Sequence, residues 1–214
     1  MKPVKPRSKK AQTNLSQEIS SHSILFTSNE NMLPSSLKIC FSGMHPQTLI
    51  HMFNLLPKES ISEYMGDIVV SSDCKPTCIL LLVLLRGGAV VSVEYVYQYS
   101  QGIPDYREYE LSTNKLLKLS DRPNNMMGIM TGAKVVLDTF PGSSSHPIIA
   151  DELFPKILQL LGAIIVDDYM ESTYIISDRS VASAASTIFK KIDFNWIVDS
   201  IVGNRLQQID AYIF

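Results

Sequence analysis

The stretch that decides the fold is IDFNWIVDSI, at residues 192–201. It passes from a strand-like start into a helical pattern that contains Trp196. The stretch AVVSVEYV, at residues 89–96, has the same order about a hundred residues earlier, with Tyr95 in the tryptophan position. The sequence therefore predicts two copies of one small α/β unit.

Further strand-like runs precede each of the two quoted stretches. Residues 37–41 and 67–73 lie before the stretch at 89–96, and residues 134–137 and 173–178 lie before the stretch at 192–201. Helical stretches separate these runs. The pattern predicts the order β-α-β-β-α-β-α in each unit. Parallel strands joined by crossover helices should give each unit a small four-stranded parallel sheet flanked by helices.

One predicted helix has no polar face. It opens at Pro76, runs to Leu85 and ends before Gly87 and Gly88. Because a helix that is apolar all round must be buried on more than one side, we expect the second unit to cover the side that its own sheet leaves free. The two units should therefore pack through a helical interface.

The chain divides into four predicted regions. Residues 1–35 form a flexible basic and polar tail, 36–110 the first unit, 111–132 a linker, and 133–214 the second unit. Further helices are predicted over 46–56, 115–119, 148–161 with a kink or a late start at Pro155, 180–189, and 196–202 with Asn195 as the cap.

Composition excludes several function classes. The chain has 214 residues, is 45% apolar and carries a formal net charge of −2, which does not favour a nucleic-acid binder. No apolar run reaches the ~20 residues that span a bilayer, and charge after Met1 argues against secretion. The three cysteines predict buried free thiols rather than disulfides or a zinc site. The basic cluster at residues 2–10 is either a nuclear-import signal, a weak phosphate-backbone contact or a solvated charge run.

The two stretches quoted first, together with the pair Ser42-Gly43 after the first strand, resemble the tandem BRCT family over residues 37–214. Within the family, the chain most resembles the C-terminal repeats of the type-one breast-cancer susceptibility protein or its heterodimer partner. The ending, QIDAYIF at residues 208–214, is similar to the end of the first of these proteins. The resemblance implies a phosphopeptide reader in the nucleus. The family also has a phosphate-binding lysine on the second helix, but Ile79 stands at that position here.

The resemblance implies a phosphate site in the first repeat. It would comprise the Ser42 hydroxyl, the Gly43 N–H and Thr77 at the start of the second helix, with Lys75 in place of the missing lysine. The alternative is a structural Ser-Gly turn and a surface lysine. Losing the lysine without replacement should weaken phosphate binding about tenfold to a hundredfold.

The resemblance also implies an apolar pocket between the repeats. Its walls would be Leu81, Ile149, Phe194 and Val198, although core packing explains each of these residues equally well. Phe194 stands where related proteins have a backbone-binding arginine, so the peptide register is open.

No pattern in the sequence predicts an enzyme, a cofactor or a metal site. We therefore expect a phosphoserine-peptide-binding scaffold of the DNA-damage response. The alternative is a scaffold that binds a protein or nucleosome independently of phosphate. The expected partners are a phosphorylated protein or peptide and chromatin or a histone tail, with no membrane and weak or absent direct DNA binding.

Overall fold

A computed structural model describes residues 37–99, 101–113, 115–122, 125–138, 146–180 and 189–214. The predicted tail over 1–35 and most of the predicted helix over 180–189 lie outside the described residues. Residues 36–214 form one compact unit. The boundaries placed at 110 and 132 stay predictions.

The first sheet follows the apolar runs of the sequence. Its strands are β1 (Ile39–Ser42), β2 (Ile68–Ser71) and β3 (Ala89–Val91), all parallel and in the order β1-β2-β3. All residues of these strands are buried, as expected for β-branched runs inside a parallel sheet that is covered on both faces.

The second sheet is built in the same way with one strand more. Its strands are β4 (Lys134–Asp138), β5 (Ile164–Ile165), β6 (Tyr174–Ser177) and β7 (Ile192–Asp193), in the order β5-β4-β6-β7. All three pairings are parallel. The two-repeat α/β fold is thereby confirmed.

In the described residues of the first repeat, the predicted fourth strand is missing. In the position that corresponds to β5, only a single parallel bridge joins Ile61 to Ile39 in the described part of this repeat. Because Pro57 and the 3-10 turn Lys58–Ser60 come directly before Ile61, the chain has little extended length there with which to continue the ladder.

The helices match the predicted periodicity in their centres and differ at their ends. They are α1 (Pro46–Leu55), α2 (Cys78–Leu85), α3 (Glu94–Tyr99), α4 (Pro147–Ala150), α5 (Phe154–Leu160) and α6 (Asn195–Val202). Short 3-10 helices lie at Lys58–Ser60, Tyr106–Tyr109, Leu119–Asp121, Tyr169–Glu171 and Ile209–Tyr212.

The helix expected over 148–161 is divided into α4 and α5. Pro155 lies in the first turn of α5, where its missing N–H costs no hydrogen bond, so the expected late start at this proline is confirmed. Two other predicted helix details are wrong. Asn195 does not cap α6, because it is the first residue inside the helix, and its N–H donates to Asp193 Oδ1 at 2.8 Å. The helix expected over 115–119 is a 3-10 turn at Leu119–Asp121.

The all-apolar helix α2 lies at the centre of the molecule. Thr77 caps it, because the Thr77 hydroxyl accepts from the N–H of Leu80 at 3.2 Å. Every residue of α2 except Ile79 is buried. The helix packs on the strands of its own sheet and also on α5 and α6 of the second repeat. The predicted helical interface between the repeats is confirmed.

Candidate phosphopeptide cleft between the repeats

The candidate site begins where β1 ends. Ser42 is buried, with 4% of its surface exposed, and its hydroxyl lies 2.6 Å from the Thr77 hydroxyl at the start of α2. Gly43 follows with a φ of +65°, a left-handed conformation that glycine adopts without a steric penalty. The carboxyl ends of parallel strands meet at one edge of a sheet, which is why β1, β2 and the start of α2 converge here.

The loop after β2 contributes charge to the same edge. Asp73 Oδ1 accepts from the backbone N–H of Lys75 at 3.1 Å, and Asp73 Oδ2 lies 3.0 Å from Lys75 Nζ. The Lys75 N–H and then the Lys75 ammonium hold the pKa of the Asp73 carboxyl below its ordinary value. The Ser72 hydroxyl donates to the carbonyl of Gly43 at 2.8 Å and ties this loop to the turn after β1.

A cleft of about 480 Å³ opens between the repeats beside this loop. The residues that line it are Gly43, Asp73, Lys75, Pro76, Thr77 and Cys78 from the first repeat, and His146, Pro147, Ile148, Asp151, Asn195 and Val198 from the second. Among these lining residues Lys75 is the only lysine or arginine, and its side chain is 81% exposed. A smaller cavity of about 260 Å³ beside Tyr169 contains no predicted site residue.

The second-repeat wall of the cleft is held by hydrogen bonds. The His146 N–H donates to Asp178 Oδ2 at 2.6 Å, and His146 Nδ1 accepts from the Ile148 N–H at 3.3 Å. The imidazole packs on the Phe194 ring with centroids 4.8 Å apart. Burial pushes the pKa of the Asp178 carboxyl upward, but bonds from the Ser180 hydroxyl, the His146 N–H and the Ser180 N–H bring it below its ordinary value. The imidazole is thus presented to the cleft from a fixed backbone.

The structure brings four of the eight predicted site residues together around the cleft. Gly43, Lys75, Thr77 and Val198 line it, and buried Ser42 reaches it through Thr77. The other three predicted pocket residues are in the core rather than on the cleft surface: Leu81, Ile149 and Phe194 are 0%, 3% and 2% exposed. Their role as ligand contacts stays a prediction.

Ile79 does not compensate for the missing lysine. It is half-buried and packs against the core that the two repeats share. Among the residues that line the cleft, Lys75 is therefore the one lysine that could take the place of the missing one.

The corresponding edge of the second repeat has different chemistry. Ser42 pairs with Ser71 in the first sheet, and Asp138 pairs with Ser177 in the second, so Asp138 occupies the position of Ser42. The Asp138 carboxylate is bonded to Lys191 Nζ and accepts from the Tyr169 hydroxyl at 2.8 Å. A carboxylate accepts hydrogen bonds and does not donate them, and Lys191 is already bonded to it, so the position that corresponds to Ser42 offers no hydroxyl donor in the second repeat.

Sequence reasoning missed several residues of the cleft, above all Asp73, His146 and Asp151. A signal for Asp73 did exist, because it follows the end of β2 by two residues and β2 pairs with β1. The carboxyl ends of paired parallel strands are adjacent, so the turn after one strand lies beside the turn after the next.

Comparison with known proteins identifies the fold. The sequence matches no protein-family model and no curated protein. The solved BRCT5-BRCT6 domains of S. pombe Brc1 are similar with a TM-score of 0.54 and 14% identity, covering 80% of this chain and 94% of that one. Rtt107p, solved in complex with a phosphorylated histone, has a TM-score of 0.51 and 14% identity, covering 86% and 94%. The FHA/BRCT-repeat domain of S. pombe Nbs1 has a TM-score of 0.51 and 13% identity, covering 79% and 60%.

The chain therefore has the tandem BRCT fold. At 13–14% identity the likeness shows the architecture alone. In the described part of the chain, no helix has both the length and the apolar character needed to cross a membrane.

Proposed function

We propose that the chain is a phosphoserine-peptide-binding scaffold module of the nuclear DNA-damage response, and not an enzyme. The observation that carries this proposal is the convergence of Gly43, Lys75 and Thr77 on one cleft at the junction of two BRCT repeats. The similar Rtt107p structure, a complex with a phosphorylated histone, supports the choice of ligand class. The resemblance of Ser42-Gly43 and of the stretch around Trp196 to the BRCT pattern supports the same choice.

The first part of the proposed phosphate site is the Ser42 hydroxyl, whose proton can point toward a ligand. The Thr77 hydroxyl accepts from the Leu80 N–H and can donate its own proton to Ser42 Oγ. The Ser42 proton is then available to a phosphate oxygen. A charge-assisted hydrogen bond of this kind contributes about 1.5 to 3 kcal/mol.

The second part is the open backbone of Gly43 beside the Lys75 ammonium. The Gly43 N–H donates to no acceptor among the described residues. A phosphoserine carries a charge of about −1.5 to −2 and strong acceptor oxygens, which suits an N–H and an ammonium at one cleft. Because Lys75 is so exposed, we expect it to recover only part of what a helix lysine would supply.

The expected partners are a phosphorylated protein or peptide and chromatin or a histone tail. The proposed binding requires no cofactor and no membrane. Direct DNA binding through the basic tail would be weak, non-specific and sensitive to salt.

A second function is favoured by one observation. The Asp73 carboxylate is already paired with Lys75 in the cleft. Since a carboxylate at this place opposes an incoming anion, the cleft or another face of the same fold could bind a protein or nucleosome independently of phosphate.

The two functions separate in a peptide titration. The full chain is titrated with a labelled degenerate phosphoserine library and with its dephosphorylated copy. The phosphoserine reader should prefer the phosphorylated library at least tenfold. This preference should disappear in Ser42→Ala and fall in Lys75→Ala, while Lys58→Ala, an exposed lysine away from the cleft, serves as the matched control.

Equal binding of both libraries would support the phosphate-independent scaffold. A loss of DNA retention after deletion of residues 1–12 would assign any DNA binding to the tail and not to the cleft.

A further inference from the structure

The Asp73 carboxylate holds the ammonium group that the proposed phosphate site requires. It accepts from a backbone N–H at 3.1 Å and lies 3.0 Å from the Lys75 ammonium. Both groups belong to the segment that enters α2, and Lys75 is the only lysine or arginine that lines the described cleft. An internal anion therefore uses the cation that an external anion requires.

Gly43 gives this carboxylate the room to approach. A Cβ atom built on Gly43 would lie 3.0 Å from Asp73 Oδ1 and 4.0 Å from the Ser71 hydroxyl. Asp73 Oδ1 thus lies against the side of Gly43 that a side chain would fill, beside the residue whose N–H is assigned to the phosphate. The Ser72 bond to the Gly43 carbonyl holds the two loops at this separation.

We propose that the Asp73 carboxylate occupies the place of the ligand phosphate, and that a ligand binds only by displacing it. This inference rests on the proposed phosphoserine-binding function and adds a specificity rule to it. The cleft selects a dianionic phosphate monoester over a carboxylate.

The rule follows from competition within one molecule. A tethered group acts at an effective concentration in the millimolar range or higher, so a ligand carboxylate of the same charge gains little by replacing Asp73. A phosphate monoester carries nearly twice the charge and three acceptor oxygens, and it can win this exchange. Peptides in which Asp or Glu replaces phosphoserine should therefore fail to bind the wild-type chain.

The test compares the wild-type chain with Asp73→Asn. The asparagine oxygen can still accept from the Lys75 N–H, so the turn is kept while the charge is removed. Asp105→Asn is the matched control, because Asp105 accepts from the N–H of Arg107 at 3.0 Å in the same i to i+2 arrangement and lies away from the cleft. Fluorescence of Trp196, the single tryptophan, checks that each variant is folded.

We expect Asp73→Asn to bind the phosphoserine library about tenfold more tightly than the wild type, which is the effect of one like charge a few ångströms away at a solvated surface. The Asp-substituted library should bind Asp73→Asn and not the wild type. Asp105→Asn should match the wild type with both libraries.

The outcomes distinguish this inference from the function on which it rests. If the wild type prefers phosphate and Asp73→Asn binds no more tightly, the inference is wrong and the proposed function stands. If neither form prefers phosphate, both are wrong. If only Asp73→Asn prefers phosphate, the displaced-carboxylate inference is supported and the wild-type chain is not a phosphoserine reader by itself.

Discussion

The second repeat contains a buried ion pair that makes its stability sensitive to one substitution. Lys191 and Asp138 are 3% and 8% exposed, and Lys191 Nζ donates to Asp138 Oδ2. We predict that Lys191→Met leaves the Asp138 carboxylate buried without its counter-charge. In the described part of the chain, the donors that remain for this carboxylate are the hydroxyls of Tyr169 at 2.8 Å and Ser177 at 3.4 Å.

The expected cost is about 3 to 5 kcal/mol, because the loss of one partner from a buried pair leaves an uncompensated charge. Solvent screening cannot reduce this value much at so small an exposure. The free energy of unfolding of a domain is typically about 5 to 15 kcal/mol, so the variant should lose a large fraction of its stability. With a urea m-value of about 2 kcal/mol/M, the midpoint should fall by roughly 1.5 to 2.5 M.

Urea unfolding followed by tryptophan fluorescence measures this loss. Trp196 is the single tryptophan, is 2% exposed and belongs to the same repeat as the ion pair. The matched control is Lys134→Met, since Lys134 pairs with Glu171 at 3.0 Å on the surface of the same repeat, with side chains 44% and 59% exposed. An exposed pair contributes about 0 to 1 kcal/mol, so this control should change little.

A double variant separates charge from packing. In Asp138→Asn with Lys191→Met both charges are gone, and the asparagine oxygen can still accept from the Tyr169 hydroxyl. Most of the lost stability should return. The reasoning is refuted if Lys191→Met costs under about 1 kcal/mol, or if the double variant is as unstable as the single one.

Two further predictions concern buried side chains. Burial raises the pKa of Cys40 to about 11 and that of Cys78 to about 12, so almost no thiolate forms at either residue at pH 8. A disulfide reagent should therefore label only the half-buried Cys74 until urea unfolds the chain. Labelling of all three thiols in the folded protein would contradict this prediction. Trp196→Phe removes the hydrogen bond from Trp196 Nε1 to the Gln207 carbonyl at 2.9 Å and leaves a void. Urea unfolding followed by circular dichroism should show that the free energy of unfolding falls by about 2 to 3 kcal/mol. A fall under about 1 kcal/mol would show that the site collapses around the smaller ring.

The central architecture could be predicted from the sequence because it follows from periodicity. A helix of consecutive apolar residues, Cys78–Leu85, leaves no face for solvent, and the structure places it between the two repeats. The duplicated pattern around Tyr95 and Trp196 likewise predicted the order of the strands and helices. These features depend on which residues are apolar, and the sequence states that directly.

Features decided by one or two backbone angles could not be predicted in this way. Among the described residues, the fourth strand of the first repeat is reduced to a bridge at Ile61, which lies between Ser60 and Ser62. Asp193 rather than Asn195 satisfies the first amide of α6, because the turn before the helix places the Asp193 carboxylate 2.8 Å from the Asn195 N–H. The pattern of apolar and polar residues does not distinguish Asp193 from Asn195, because both are polar.

The candidate cleft shows the same division between pattern and geometry. The Ser-Gly motif predicts that Ser42 and Gly43 hold an anion, but it does not show whether another anion already lies beside them. That depends on the loop after β2, where Cys74 adopts a φ of +54° and the chain turns Asp73 toward the Gly43 backbone. Whether this edge binds phosphate is thus decided by the exchange between an internal and an external anion, and the Asp73→Asn comparison measures that exchange directly.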